Sequence, residues 1–180
     1  MSDIEYEIRI LEIDEKVLIK KITLLGGKLL GEYFFRRYVF ETIPQVKGRW
    51  IRLRTNGEFS TLAVKEIISD SVDGTSEWET SVEDFDVTLK MLEKMGFKPK
   101  GYQENRRIEY RFKDVILALD TWPLIPPYLE IEGKNEAAVK KAAVVLGFEE
   151  SSLTGENTQK IYQKYGIDIE REPNLRLEKK

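Results

Sequence analysis

The chain has no cysteine and no histidine. Without cysteine, disulfides and thiolate zinc sites are excluded. Without histidine there is no imidazole general base, no His-containing catalytic triad and no His-ligated metal. Any metal must therefore sit among oxygen ligands, the preference of hard cations such as magnesium, manganese or calcium. No apolar run approaches the roughly 20 residues of a membrane-spanning helix. The first residues carry Asp3, Glu5 and Glu7 and no apolar signal core. An excess of one charge sign is also missing. The 29 basic and 32 acidic side chains leave a net charge of −3, whereas a general nucleic-acid binder normally has a strong basic excess. These absences predict a soluble, cytoplasmic protein with neither a nucleic-acid nor a membrane partner.

What is present reads as a folded globule. Of the 180 residues, 41% are hydrophobic and 34% charged, which suits one domain with a sizeable core. Six stretches have strand character: 4–10, 31–42, 49–67, 76–82, 105–122 and 127–133. The third reads as a hairpin around Asn56-Gly57 and the fifth as a hairpin turning near Lys113-Asp114. Helices are predicted from Asp14 to Gly26-Gly27, from Asp84 to Gly96 and from Asn135 to Gly147, with a short fourth over 156–165. The first starts at Asp14, a good N-cap, and each of the three stops at glycine. In the second, Val87, Met91 and Met95 are expected on one face, with Leu92 beside them. Antiparallel strands with scattered helices make an α+β fold.

The strands share an unusual charge pattern. Alternation places Glu5, Glu7 and Arg9 on one face of the first strand, and Arg52 with Arg54 on one face of "WIRLR". Lys65 lies opposite Leu62 and Val64; Glu77 and Glu79 flank Trp78, and Glu130 and Glu132 flank Ile131. One such strand is an ordinary sheet with a wet face. Five of them, with charges in like pairs, favour an inverted sheet: charges pointing into a closed barrel, apolar faces outward under the helices. Like charges about 4 Å apart repel by roughly 4 kcal/mol at an effective dielectric near 20. Grouped acids therefore call for a divalent cation and grouped bases for a polyanion. Arginine's planar fork matches phosphate oxygens, while lysine acts as a point charge.

These motifs, in this order, resemble the CYTH domain, the triphosphate tunnel metalloenzyme superfamily that includes class IV adenylyl cyclases and thiamine triphosphatases. "EYEIR" is similar to its Glu-x-Glu-x-Lys signature, "WIRLR" to its paired-Arg strand, "LAVKE" to its Lys strand and "SEWETSVED" to its central acidic strand. "NRRIEYRFKDVILALDTW" resembles its Arg and Asp strands, and "PPYLEIEG" its closing Glu-x-Glu strand. The resemblance covers about residues 3–165 and implies a single domain over 1–180, with a charged tail from about 168 to 180. It also implies a closed antiparallel eight-stranded β-barrel, a tunnel with a charged lumen and helices packed outside.

Carried over residue by residue, Arg52, Arg54, Lys65 and Arg107 would hold phosphates. Glu5, Glu7, Asp120, Glu130 and Glu132 would serve magnesium or manganese. Glu77 and Glu79 would be lumenal acids, and Glu5, Glu7 and Arg9 would form the catalytic signature. The chain departs from the pattern twice. Arg9 stands where the signature has Lys, and Asn105 stands where many members carry a base two positions before the Arg. Arg106 is not expected to compensate, because alternation sends it to the other face.

The implied activity is metal-dependent hydrolysis of a triphosphate: inorganic tripolyphosphate, or an organic one such as thiamine triphosphate or a nucleotide. The alternatives are a class IV-type adenylyl cyclase, although the His-Phe pair of its bacterial members is absent, and a noncatalytic binder of nucleotides or polyphosphate. The partner is a triphosphate-containing small molecule. The organic group on it and the oligomeric state stay open, a homodimer being one option. "WPLIPPY" (122–128) reads as a proline-fixed connection and Trp50 and Trp78 as outer packing residues. "LLGGKLLG" (24–31) reads as a helix stop rather than a phosphate loop.

Overall fold

The computed structural model describes residues 3–69, 74–169, 171–172 and 174–178, with the side chains of the first strand described from residue 6 onward. Its strands are β1 (Asp3–Ile10), β2 (Lys28–Glu41), β3 (Arg49–Thr55), β4 (Ser60–Ile67), β5 (Thr75–Val82), β6 (Pro99–Phe112), β7 (Val115–Thr121), β8 (Tyr128–Gly133), β9 (Leu153–Thr154) and β10 (Asn174–Leu175). The helices are α1 (Glu15–Leu24), α2 (Phe85–Lys94), α3 (Glu136–Val145) and α4 (Thr158–Lys164).

Local chemistry sets the boundaries. Asp14, Asp84, Asn135 and Asn157 each accept a hydrogen bond from the backbone N–H three residues on, satisfying a donor that the first helical turn leaves free. Gly26, Gly96 and Gly147 adopt left-handed φ of 86°, 95° and 80°, which halts α1, α2 and α3. The β3–β4 connection is longer than the two-residue turn its Asn-Gly suggests. It spans residues 56–59, and the Asn56 side chain accepts from the N–H groups of Glu58 and Phe59.

The strands form one curled sheet in the order β6-β2-β3-β4-β5-β1-β8-β7, with β7 also pairing β6 over Arg106–Phe112. The expected closed, antiparallel eight-stranded barrel needs correction. Among the described residues the sheet has ten strands, and β10 joins β6 in parallel. Its wall also opens between β1 and β5. Among the described residues only three pairs join these strands, ending at Glu5↔Thr75, and farther along the same strand Arg9 and Ile10 pair with β9 instead. One strand edge shared between two partners forces them apart, so the sheet is a strongly curved wall and not a sealed tunnel.

Apolar side chains lie on the convex side. Leu18 and Ile22 of α1 and Val139, Ala142 and Ala143 of α3 bury against Ile8, Leu117, Leu119, Leu129 and Ile131. Phe85 and Leu92 of α2 pack on Phe40, Ile51 and Leu53. The apolar face of Val87, Met91 and Met95 on α2 is exposed, and the helix turns its Phe85–Leu92 side to the sheet. Nor do all helices stay outside. Ile161 and Tyr162 of α4 anchor it beside Trp122, while Thr158 and Gln163 face the concave side. Among the described residues, no helix is long and apolar enough to cross a membrane.

Candidate functional site

The concave side of the sheet encloses a cavity of about 1190 Å³. Glu7, Arg9, Arg52, Arg54, Lys65, Arg107, Glu77, Glu79, Glu130 and Glu132, all singled out by strand alternation or the resemblance, line it together. The Glu5 side chain lies outside the described residues. Asp120 has no exposed surface; it stands opposite Arg107 on the same sheet face and is covered by that side chain.

Register explains why these charges meet. Arg9 stands opposite Glu130, Lys65 opposite Glu77, Arg107 opposite Asp120, and Arg52 is flanked by Ala63 and Val39. The β1 base is heavily bonded. Arg9 donates from Nε to Glu130 (2.9 Å), from Nη2 to Glu7 (2.7 Å) and from Nη1 to the Glu156 carbonyl just before α4 (2.9 Å). Burial opposes its charge, but Glu7 and Glu130 outweigh this and raise its pKa. Arg in place of the signature Lys thus gives one side chain three partners in fixed directions, which an ammonium group cannot match.

The other bases pair with acids too. Arg52 Nη2 lies 2.7 Å from both Glu77 and Glu79, and Arg54 is 3.5 Å from Glu79. Lys65 is 3.3 Å from Glu77. Arg107 holds both oxygens of Asp120, at 2.9 and 2.6 Å, and Glu130 at 3.1 Å.

The acids divide into two kinds. Glu130 is buried, which disfavours its charge, yet Arg9 and Arg107 hold its pKa well below the usual carboxylate range. The Glu132 side chain makes no hydrogen bond or ion pair among the described residues. Burial, then the neighbouring charges of Glu130 and Glu7, raises its pKa. Among the described residues, no three acids converge as a ready-made cation site. The chemistry of Glu132 nonetheless fits a hard cation: an oxygen donor crowded by other carboxylates, whose charge a divalent ion would relieve.

Several cavity residues were not among the predicted site residues. Arg37 of β2 faces inward, 8% exposed, with its guanidinium 4.5 Å from the centre of the Trp122 ring. Its signal in the sequence was the Arg36-Arg37 pair in an aromatic strand, since alternation must send one of two adjacent bases to each face. Trp122 and Tyr128, at the ends of the proline-rich connection, and Trp50 also line the cavity. Trp50 is therefore no outer packing residue; it shares the face of Arg52 and Arg54. Trp78 points away and is partly exposed. Arg106 faces outward as expected, donating to Glu15 and Glu32.

Solved structures share this architecture. A protein of Pyrococcus horikoshii is 24% identical, with a TM-score of 0.74 over 85% of this chain and 96% of that one. A Vibrio parahaemolyticus protein, provisionally named an adenylate cyclase, is 13% identical with a TM-score of 0.76 over 91% and 99%. A Hippeastrum protein reported to have a dominant triphosphatase activity is 17% identical with a TM-score of 0.62 over 92% and 96%. No curated protein matches the chain. The model of the CYTH domain matches residues 3–165, nearly the whole cavity-forming sheet and α4, and by that match the chain belongs to the CYTH family.

Proposed function

We propose that the protein hydrolyses the phosphoric anhydride bond of a triphosphate, inorganic or organic, with the help of magnesium or manganese. The observation that carries this reading is the gathering of Arg52, Arg54, Lys65 and Arg107 into one concave wall whose interleaved carboxylates include Glu132, which has no ion pair among the described residues. The dominant triphosphatase activity of the Hippeastrum relative agrees with it.

In this reading Arg52 and Arg54 from β3, Lys65 from β4 and Arg107 from β6 grip phosphate oxygens. Their carboxylate partners keep the guanidinium planes oriented until a phosphate displaces them. Glu132, with Glu7, Glu130, Asp120 and Glu5, supplies oxygens for the metal. When bound, a divalent ion neutralises charge on the phosphate oxygens and lowers the cost of attack. Glu7 is the described acid best placed to orient a water, because Arg9 fixes its Oε1 and leaves the other oxygen to accept.

A cyclase would use the same cavity, and the provisional name of the Vibrio relative points that way. The test is incubation with tripolyphosphate, thiamine triphosphate and ATP, each with magnesium or manganese, with separate assays for phosphate, pyrophosphate and cyclic AMP. Phosphate without cyclic AMP supports hydrolysis. Cyclic AMP with pyrophosphate from ATP reverses the assignment, and binding without turnover leaves a noncatalytic binder.

A further inference from the structure

One buried base in the cavity, Arg37, has no ion-paired acid among the described residues. Arg37 on β2 and Arg54 on β3 are direct cross-strand partners, so two like charges sit side by side, an arrangement that weakens a sheet unless something intervenes. The Nη2 of Arg37 donates to the Asn105 side-chain carbonyl, a neutral acceptor. Asn105, with no exposed surface, passes the contact on from Nδ2 to Asp120 at 2.8 Å. Every other inward arginine has a carboxylate within 3.5 Å. Arg37 has none among the described residues.

The nearby donors tell the same story. The Nε groups of Arg37, Arg52 and Arg54 and the indole Nε1 of Trp122 are buried and meet no acceptor among the described residues. Buried N–H groups are rarely left so. The four side chains that carry them line the same cavity, a donor set lacking an acceptor with several oxygens.

We propose that Arg37, set between Arg54 and Trp122, is a further phosphoryl-binding residue, and that Asn105 positions it while leaving its charge uncancelled for the ligand. This rests on the triphosphate reading above and names a ligand residue outside the family motifs. It also accounts for the second departure from the family pattern. The base absent at position 105 is supplied from β2, by a side chain that crosses to Asn105. Burial, then the positive charges of Arg52, Arg54 and Arg107, drives the pKa of Arg37 well below that of a free guanidinium. Arginine does not readily give up its proton, so this unfavourable charge is relieved by an anion.

The test is calorimetric titration with tripolyphosphate in EDTA, which withholds metal-dependent turnover. Wild type, Arg37→Met, Arg37→Lys and Arg52→Ala are compared, with circular dichroism to establish folding. Arg37→Met keeps bulk against Trp122 and is expected to weaken binding by about 10- to 150-fold, the range for losing a charge-assisted hydrogen bond. Arg37→Lys should fall between it and wild type. In a Trp50→Phe, Trp78→Phe background with Arg37 intact, tripolyphosphate should change the emission of Trp122, the remaining tryptophan. This second readout stands if Arg37→Met fails to fold.

Wild-type binding of tripolyphosphate with Arg52→Ala impaired and Arg37→Met unimpaired would overturn the Arg37 proposal and leave the triphosphate reading intact. An unchanged Trp122 emission at saturation would also count against it. No wild-type binding would remove both.

Discussion

Arg107 grips the carboxylate of Asp120 with two nitrogens, Nε at 2.9 Å and Nη2 at 2.6 Å, and Asp120 has no exposed surface. A buried pair of this kind is costly to break, because removing one partner leaves the other charged and desolvated. Asp120→Asn should lower unfolding free energy by about 3–5 kcal/mol, read as an earlier midpoint in urea. A loss within a few tenths of a kcal/mol would mean that Glu130 alone suffices to hold Arg107.

Glu130 and Glu132 are neighbours on one strand face with opposite electrostatic positions, so glutamine at each should act in opposite directions. The lowered pKa of Glu130 gives stability that is present above the ordinary carboxylate range and lost as pH falls through its folded value. Glu130→Gln should therefore destabilise the protein at neutral pH, by about 3–5 kcal/mol if Arg9 and Arg107 find no substitute. The raised pKa of Glu132 means the folded state binds its proton more tightly than the unfolded chain. That contribution stabilises at low pH and fades as pH rises through the raised value. Glu132→Gln should leave the metal-free protein as stable or more stable at neutral pH, and thermal unfolding from about pH 4 to 8 checks both signs.

Restoring the family's lysine at position 9 should cost stability. Arg9 reaches Glu7, Glu130 and the carbonyl of Glu156 from three different nitrogens. A lysine has one nitrogen at the end of a flexible stem and cannot span all three. Arg9→Lys should lose about 1.5–3 kcal/mol for each charged hydrogen bond given up. Faster amide exchange should appear at α4, whose approach the Glu156 contact secures.

Metal and phosphate defects should be separable. Glu132→Gln removes a candidate metal oxygen, so the rate should need more magnesium and recover when magnesium is in excess. Arg52→Ala removes a phosphate fork and should not recover. Rescue of Arg52→Ala alone by excess metal would invert the division of labour between acids and bases.

Much of this site was legible because strand alternation is a short-range rule. The faces of Arg52, Arg54, Lys65, Glu130 and Glu132 follow from counting by two, and Asp14, Asp84 and Asn135 cap helices by purely local hydrogen bonds. Sheet closure was not legible. Whether β5 zips fully to β1 depends on β9, a two-residue strand more than 140 positions from β1 in sequence, competing for the same edge. Which α2 face packs was not legible either: Phe85 and Leu92 meet Phe40 and Leu53 of distant strands, and local periodicity does not choose them over Val87, Met91 and Met95. Arg37 escaped notice because its motif is a pair of adjacent bases, and only the register of β2 against β3 shows that it abuts Arg54.

The most direct test of the account is the rate of phosphate release from tripolyphosphate with magnesium, measured side by side for wild type and Arg52→Ala. The account predicts release by wild type that stops with EDTA. It predicts a kcat/KM for Arg52→Ala lower by about 10- to 150-fold, with folding unchanged. Wild-type turnover that persists in EDTA, or an Arg52→Ala variant as active as wild type, would contradict it.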